Sequence, residues 1–390
     1  MAARGGPGGP ARPARRSAAP KNVHLEPGAH RPPVRHGDPA AAGAGLGGLG
    51  GRAAPGVLRR PRGPDRAGRL PPPAVQQRPA APVRRRRGDA EVSATAGGQR
   101  PLKDLFQRLI DLSVDAYYNP YKTFVWPEEL PRGRYWMSPE LLSVHGTPWM
   151  EELPEERLHV LAQWEIVNFL SLSAHGIREL LLHVLQCIHT PGFEDTSEYF
   201  HHFIGEENEH MWFFAQFCRR YGGKIYPTKR LKFDRFEDPG LRNFLAFGQI
   251  LIFEEIGDFY NRSMERDGRL PAIIQQINHV HHEDESRHMA MGRLILKHMH
   301  EDLRSSVPEE SLRALEASLR GYMQVVIEAF YNPAVYADAG LAEPYQLRRD
   351  LLAHPARARF HARAVERIQG FLLDTGIFKE PVYASEERAV

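Results

Sequence analysis

The stretch His279–Arg293, HVHHEDESRHMAMGR, packs four histidines and three carboxylates into its first ten residues. A solvated helix face draws mainly on Lys and Glu, and a buried face on Leu and Val. This stretch does neither, so what matters is which of its residues share a face. Residues three and four apart are neighbours on a helix surface. His281, Glu285 and His288 are spaced by four and then three, and project within one narrow arc. Such an arc is a set of metal ligands in search of partners.

Working outward, a second Glu-x-x-His pair, Glu207 and His210, lies in GEENEHMWFF. One such pair is common as a surface contact. Two of them, on two long helices, form the arrangement of a carboxylate-bridged di-metal site in a helical bundle. The surrounding pattern supplies the bundle. From residue 101 onward apolar residues recur at helical spacing, and Gly and Pro separate the segments. The spacing predicts helices near 102–118, 155–189, 195–221, 239–266, 271–303, 308–330 and 344–375, with an irregular, proline-rich aromatic stretch after the first. The four central helices are joined by short turns, which force antiparallel neighbours. The expected fold is all-α, a four-helix bundle with flanking helices over residues 101–390.

A di-metal site also needs a carboxylate from each of the other two helices, at the same height. Counting from the turns at 1.5 Å per residue, Glu179 is nearly level with Glu207, whereas Glu165 lies roughly 15 Å away. Glu179 is the expected ligand. Glu254 and Glu255 are both level with Glu285 and face ~100° apart; Glu254 is preferred and Glu255 stays open. The proposed donors are thus Glu179, Glu207, His210, Glu254, His281, Glu285 and His288. Carboxylate and imidazole without thiolate suits iron or manganese. Glu206 and Asp284 each precede a ligand glutamate and are placed to accept from a ligand histidine's second N–H. Arg178 and Arg287 neighbour ligands and are candidates for salt bridges to them. His175 reads as core, His201, His202 and His282 as solvent-facing or locally satisfied, and the run Met211–Phe217 as bundle packing.

The remaining composition narrows the class. Residues 1–100 hold 19 Lys and Arg against 5 Asp and Glu, while the rest holds 32 against 43. The first part is Ala, Gly, Pro and Arg without apolar periodicity, which cannot bury enough surface to order itself. It is expected to be a disordered extension, and it lacks the interleaved aromatics of a nucleic-acid binder. No segment approaches the ~18 apolar residues of a membrane span. The two cysteines, Cys187 and Cys218, have no CxxC spacing and no apolar leader precedes them, so a reducing cytoplasm is expected.

From about residue 101 the chain resembles the ferritin-like di-iron N-oxygenases typified by p-aminobenzoate N-oxygenase. Their pattern has a lone Glu, a Glu-x-x-His, a second lone Glu, and a His-x-x-x-Glu-x-x-His. It falls here on Glu179, on Glu207 and His210, on Glu254, and on His281, Glu285 and His288. The histidine four residues before the second Glu-x-x-His distinguishes this family from desaturases and ribonucleotide reductase subunits of the same fold. The resemblance implies two iron ions (an Fe/Mn pair is open), O2 as co-substrate, a small amine substrate oxidised to hydroxylamine or nitro product, and an external electron donor such as a ferredoxin or reductase. A homodimer is left open. The resemblance places no substrate-holding residue; Arg178, Arg287, Tyr260 and Tyr331 are candidates. The alternatives are a desaturase or C–H hydroxylase on the same scaffold, and an iron-storage or peroxide-scavenging protein. An acidic folded part argues against a docked acidic carrier protein.

Overall fold

The computed structural model describes residues 102–227 and 236–384. The expected disordered extension, residues 1–100, lies outside the described residues. Those described are helical, and no β-strand occurs among them. The helices are α1 (Leu102–Ala116), α2 (Pro120–Thr123), α3 (Pro148–Glu152), α4 (Glu155–Cys187), α5 (Ser197–Phe217), α6 (Pro239–Met264), α7 (Ala272–Ser306), α8 (Glu309–Ala329), α9 (Pro333–Asp338), α10 (Pro344–Ala353) and α11 (Pro355–Asp374). The bundle is α4, α5, α6 and α7.

The helix ends follow local chemistry. At the start of α6 the Asp238 carboxylate accepts from Leu241 N at 2.9 Å, with Pro239 in the first turn where its missing N–H costs nothing. α5 runs into a π turn at Cys218–Gly222 and stops at Gly223, whose φ of 68° is left-handed backbone open to glycine. One predicted element divides. The single helix expected over 344–375 is two, α10 and α11, because Pro355 has no N–H for a continuous ladder and drives His354 to an extended ψ of 132°. The short α9 was not anticipated.

The register between helices sets the height of every side chain in the bundle. On one side of α4, Phe169 stacks on Tyr260 of α6 at 5.3 Å, and His183 meets Phe247 edge-on at 5.9 Å. Between them Gly176 faces Phe253; a Cβ on Gly176 would lie 2.3 Å from the ring. α4 and α6 are therefore antiparallel, with Gly176 level with the residue before Glu254. On the other side of α4, Ser171 Oγ lies 3.7 Å from Cys218 Sγ, and a Cβ on Gly222 would lie 2.8 Å from a Val167 methyl. The flanking helices close the bundle. α1 packs on α5 through Phe106 and Tyr199, α8 on α6 through Leu319 and Gly248, and α11 on α6 through Phe360 and Phe259.

Candidate metal centre

α5, α6 and α7 bring six of the seven expected donors together in the bundle core. Glu207, His210, Glu285 and His288 offer donor atoms all within 4.8 Å of one another, and so do Glu254, His281 and Glu285. Glu285 belongs to both groups. All six residues are at most 3% exposed. Nδ1 of His288 lies 2.7 Å from Glu207 and 3.4 Å from Glu285, and Nε2 of His281 lies 2.8 Å from Glu285. Nδ1 of His210 lies 3.3 Å from Glu207 and 3.6 Å from Glu285. Aromatic side chains wall the cluster: the ring of Phe203 is 4.7 Å from that of His288, and Phe214 is 4.8 Å from His281.

Glu179 does not join the cluster. Its side chain is 64% exposed and accepts from Arg178 at the surface. Counting from the turns located its height but not its direction around the helix. Glu165, the other α4 carboxylate weighed, is buried elsewhere, accepting from Ser143 N at 3.0 Å and from the Ser143 hydroxyl. Burial, opposed by these bonds and by Arg357, pushes its carboxyl up to about 7. Between Glu254 and Glu255 the geometry is clear: Glu255 accepts from Arg293 Nε at 2.8 Å, while Glu254 turns into the cluster.

Each imidazole is held from behind. His210 Nε2–H donates to Asp284 at 2.9 Å, and His288 Nε2–H donates to Glu206 at 2.7 Å. Arg287 then ties the two acids together, reaching Glu206 at 2.7 Å and Asp284 with the same nitrogen, Nη2, and Ser113 of α1 through Nε. Tyr118 donates to Asp284 at 3.3 Å. The carboxamide nitrogen of Asn261 is placed 2.6 Å from Nδ1 of His281, and its buried oxygen has no partner, so the better-satisfied arrangement exchanges the two amide atoms. With the amide oxygen turned to the ring it accepts from Nδ1–H and leaves the Nε2 lone pair facing Glu285. Asn261 was missed from sequence, although it stands seven residues after Glu254 and so on the same face.

The other singled-out residues are engaged away from the cluster. His175 bonds the carbonyl of Tyr226, His282 bonds Asp258, and His201 meets His189 at the surface. Tyr331 is held by Arg357 and His361, and Tyr260 is stacked between Phe169 and Phe330.

The donor set fits metal ions on two counts. Glu207 Oε1, Glu254 Oε1, both oxygens of Glu285, His281 Nε2 and His288 Nδ1 are buried with no hydrogen-bond partner. Buried polar atoms are nearly always satisfied, and buried like charges are costly unless a counter-charge joins them. Protons also show the demand for positive charge. Burial opposes charging His210, yet Glu207 and Asp284 override it and push the imidazole up to about 10. His288 is likewise raised despite burial, by Glu285 and Glu207. Burial together with Glu285 and Glu207 raises Glu254, whereas the imidazoles of His288 and His281 outweigh burial and lower Glu285. Divalent cations would take the place of these protons.

Comparison with known proteins agrees with this chemistry. Residues 100–376 match the family described as p-aminobenzoate N-oxygenase AurF. The chain belongs to this family. It is a di-iron oxygenase acting on a small molecule, and the carboxylate–histidine cluster is a residue set able to hold the metals. Solved structures similar to it include variants of an R2-like ligand-binding oxidase with reconstituted Mn/Fe cofactors. One is 13% identical over 75% of this chain and 98% of its own, with a TM-score of 0.41; another is 14% identical over the same shares, also at 0.41. No curated protein sequence matches the chain. No described helix is long and apolar enough to cross a membrane.

Proposed function

We propose that this protein oxygenates the nitrogen of a small aryl amine, using the six convergent donors Glu207, His210, Glu254, His281, Glu285 and His288 as its metal ligands. His281 carries the reading. It brings a third imidazole to the cluster beside the two Glu-x-x-His pairs, on the spacing that marks the N-oxygenase family among related folds. Bound metal would supply the reduction of O2. The first step balances as amine, O2, two electrons and two protons giving hydroxylamine and water, so each turnover after the first needs an external electron donor; further oxidation leads to the nitro product.

The chain's own residues do the rest. Asp284, Glu206 and Asn261 fix one tautomer and one orientation for each imidazole, and a carboxylate acceptor raises the basicity of the ring it holds. Arg287 keeps Asp284 and Glu206 ionised beside those rings. Phe203, Phe213 and Phe214 keep bulk water from the donors, which strengthens every electrostatic interaction inside.

The test is to load the protein anaerobically with ferrous ion, add O2 with p-aminobenzoate and a panel of aryl and alkyl amines, and identify products by mass. N-hydroxy or nitro products from an aryl amine are expected. Oxidation of acyl or aliphatic C–H substrates with no amine oxidised would overturn the proposal in favour of a hydroxylase or desaturase.

A further inference from the structure

Glu179 leaves the α4 side of the cluster to another residue, and the packing identifies it. α4 presents Phe169, Gly176 and His183 to α6, and Val167 and Ser171 to the end of α5. Between these two edges runs a buried line of Ile166, Leu170, Ser173, Ile177 and Val184, none more than 4% exposed. Height selects one of them. Extending the α4–α6 register from Gly176 and Phe253 places Ile177 opposite Ile252, about 3 Å along the axis from Glu254. Extending the α4–α5 register from Ser171 and Cys218 places it opposite Trp212, again about 3 Å from His210. Glu179 is two residues further on, about 200° around the helix, and so faces away. Where a carboxylate would complete the cluster, α4 offers a 1% exposed isoleucine.

The consequences follow from counting. The cluster has three carboxylates, Glu207, Glu254 and Glu285. They share two metal positions with three imidazoles, and α4 alone of the four bundle helices adds no donor. Among the described residues no α4 carboxylate reaches the cluster, since Glu165 is held by Ser143 and Glu179 is at the surface.

We infer that the two metal positions are unequal: Ile177 stands where a carboxylate ligand would, so the six donors hold one ion far more tightly than a second. The inference rests on the metal-centre reading above, and the experiment separates the two. Ferrous ion is titrated anaerobically into the metal-free protein by calorimetry, with bound metal counted after gel filtration and folding checked by circular dichroism. Losing a direct ligand should exceed the 10–100-fold effect of losing a partner behind one, so the expected isotherm has one tight ion and a second at least ~100-fold weaker. Ile177→Glu should bring the second ion to within about tenfold of the first, and Ile177→Leu should change nothing. Should Ile177→Glu not fold, Ile177→Asp, whose side chain is smaller than the isoleucine it replaces, should strengthen the second ion in the same direction. Two ions of equal affinity in the parent protein, or a folded Ile177→Glu whose second ion stays as weak as the parent's, overturns the inference while leaving a metal centre in place. No ferrous ion bound at all overturns the metal-centre reading itself.

Discussion

Replacing Arg287 by Met keeps most of the aliphatic stem and removes the charge that joins Glu206 to Asp284. The side chain is 9% exposed, Asp284 is 3% and Glu206 15%, so water cannot substitute fully for the guanidinium. Breaking a buried ion pair by removing one partner costs about 3–5 kcal/mol. The low end applies to the metal-free protein, because His210 and His288 carry protons there and remain beside the two acids. A loss of about 3 kcal/mol in denaturant unfolding is therefore expected. With metal bound Glu206 and Asp284 orient the ligand imidazoles, and without Arg287 they hold them less firmly, so ferrous affinity should fall 10–100-fold. Arg287→Lys keeps the charge but not the forked geometry and should fall between. If Arg287→Met unfolds within about 1 kcal/mol of the parent and binds metal as the parent does, the two acids are not held as argued.

Asn261→Leu removes the acceptor behind His281 and should lower metal affinity 10–100-fold by titration, while Asn261→Asp, which keeps an acceptor, should retain most of it. Gly176→Ala puts a methyl 2.3 Å from the Phe253 ring, so the ring must shift beside Glu254; a loss of about 1–3 kcal/mol in thermal unfolding and weakened metal binding are expected. Glu165 offers a pH test. Its folded carboxyl titrates near 7 rather than the ordinary 4.5, so the protonated form carries the stability, which is complete below about 4.5 and is lost as pH rises to 7. Glu165→Gln should remove that decline, gaining about 3 kcal/mol on the parent between pH 4 and pH 8; a pH-independent difference would refute it.

Most of the fold was legible because Pro and Gly punctuate it: the predicted boundaries of the four bundle helices lie within a few residues of those observed. The break at Pro355 was equally visible in the sequence and was passed over because the apolar periodicity continues across it. The site was legible in part, since spacing along one helix determines a face. His281, Glu285 and His288 share an arc whatever packs against it, and Glu206 and Asp284 sit where second-nitrogen partners must. Spacing does not say how a helix is rotated against its neighbours. Glu179 was given the right height and lies on the wrong face, because rotation is set by Gly176 admitting Phe253. The choice between Glu254 and Glu255 depended on Arg293, 38 positions away on α7. Tyr118, arriving from the irregular stretch after α1, had no sequence signal.

Anomalous diffraction at the iron edge, recorded on crystals of the iron-loaded protein, locates the metals. Density is expected inside the bundle among Glu207, His210, Glu254, His281, Glu285 and His288, with one peak stronger than the other and none beside Glu179. Iron bound at the surface near Glu179, or no peak among those six side chains, would contradict it.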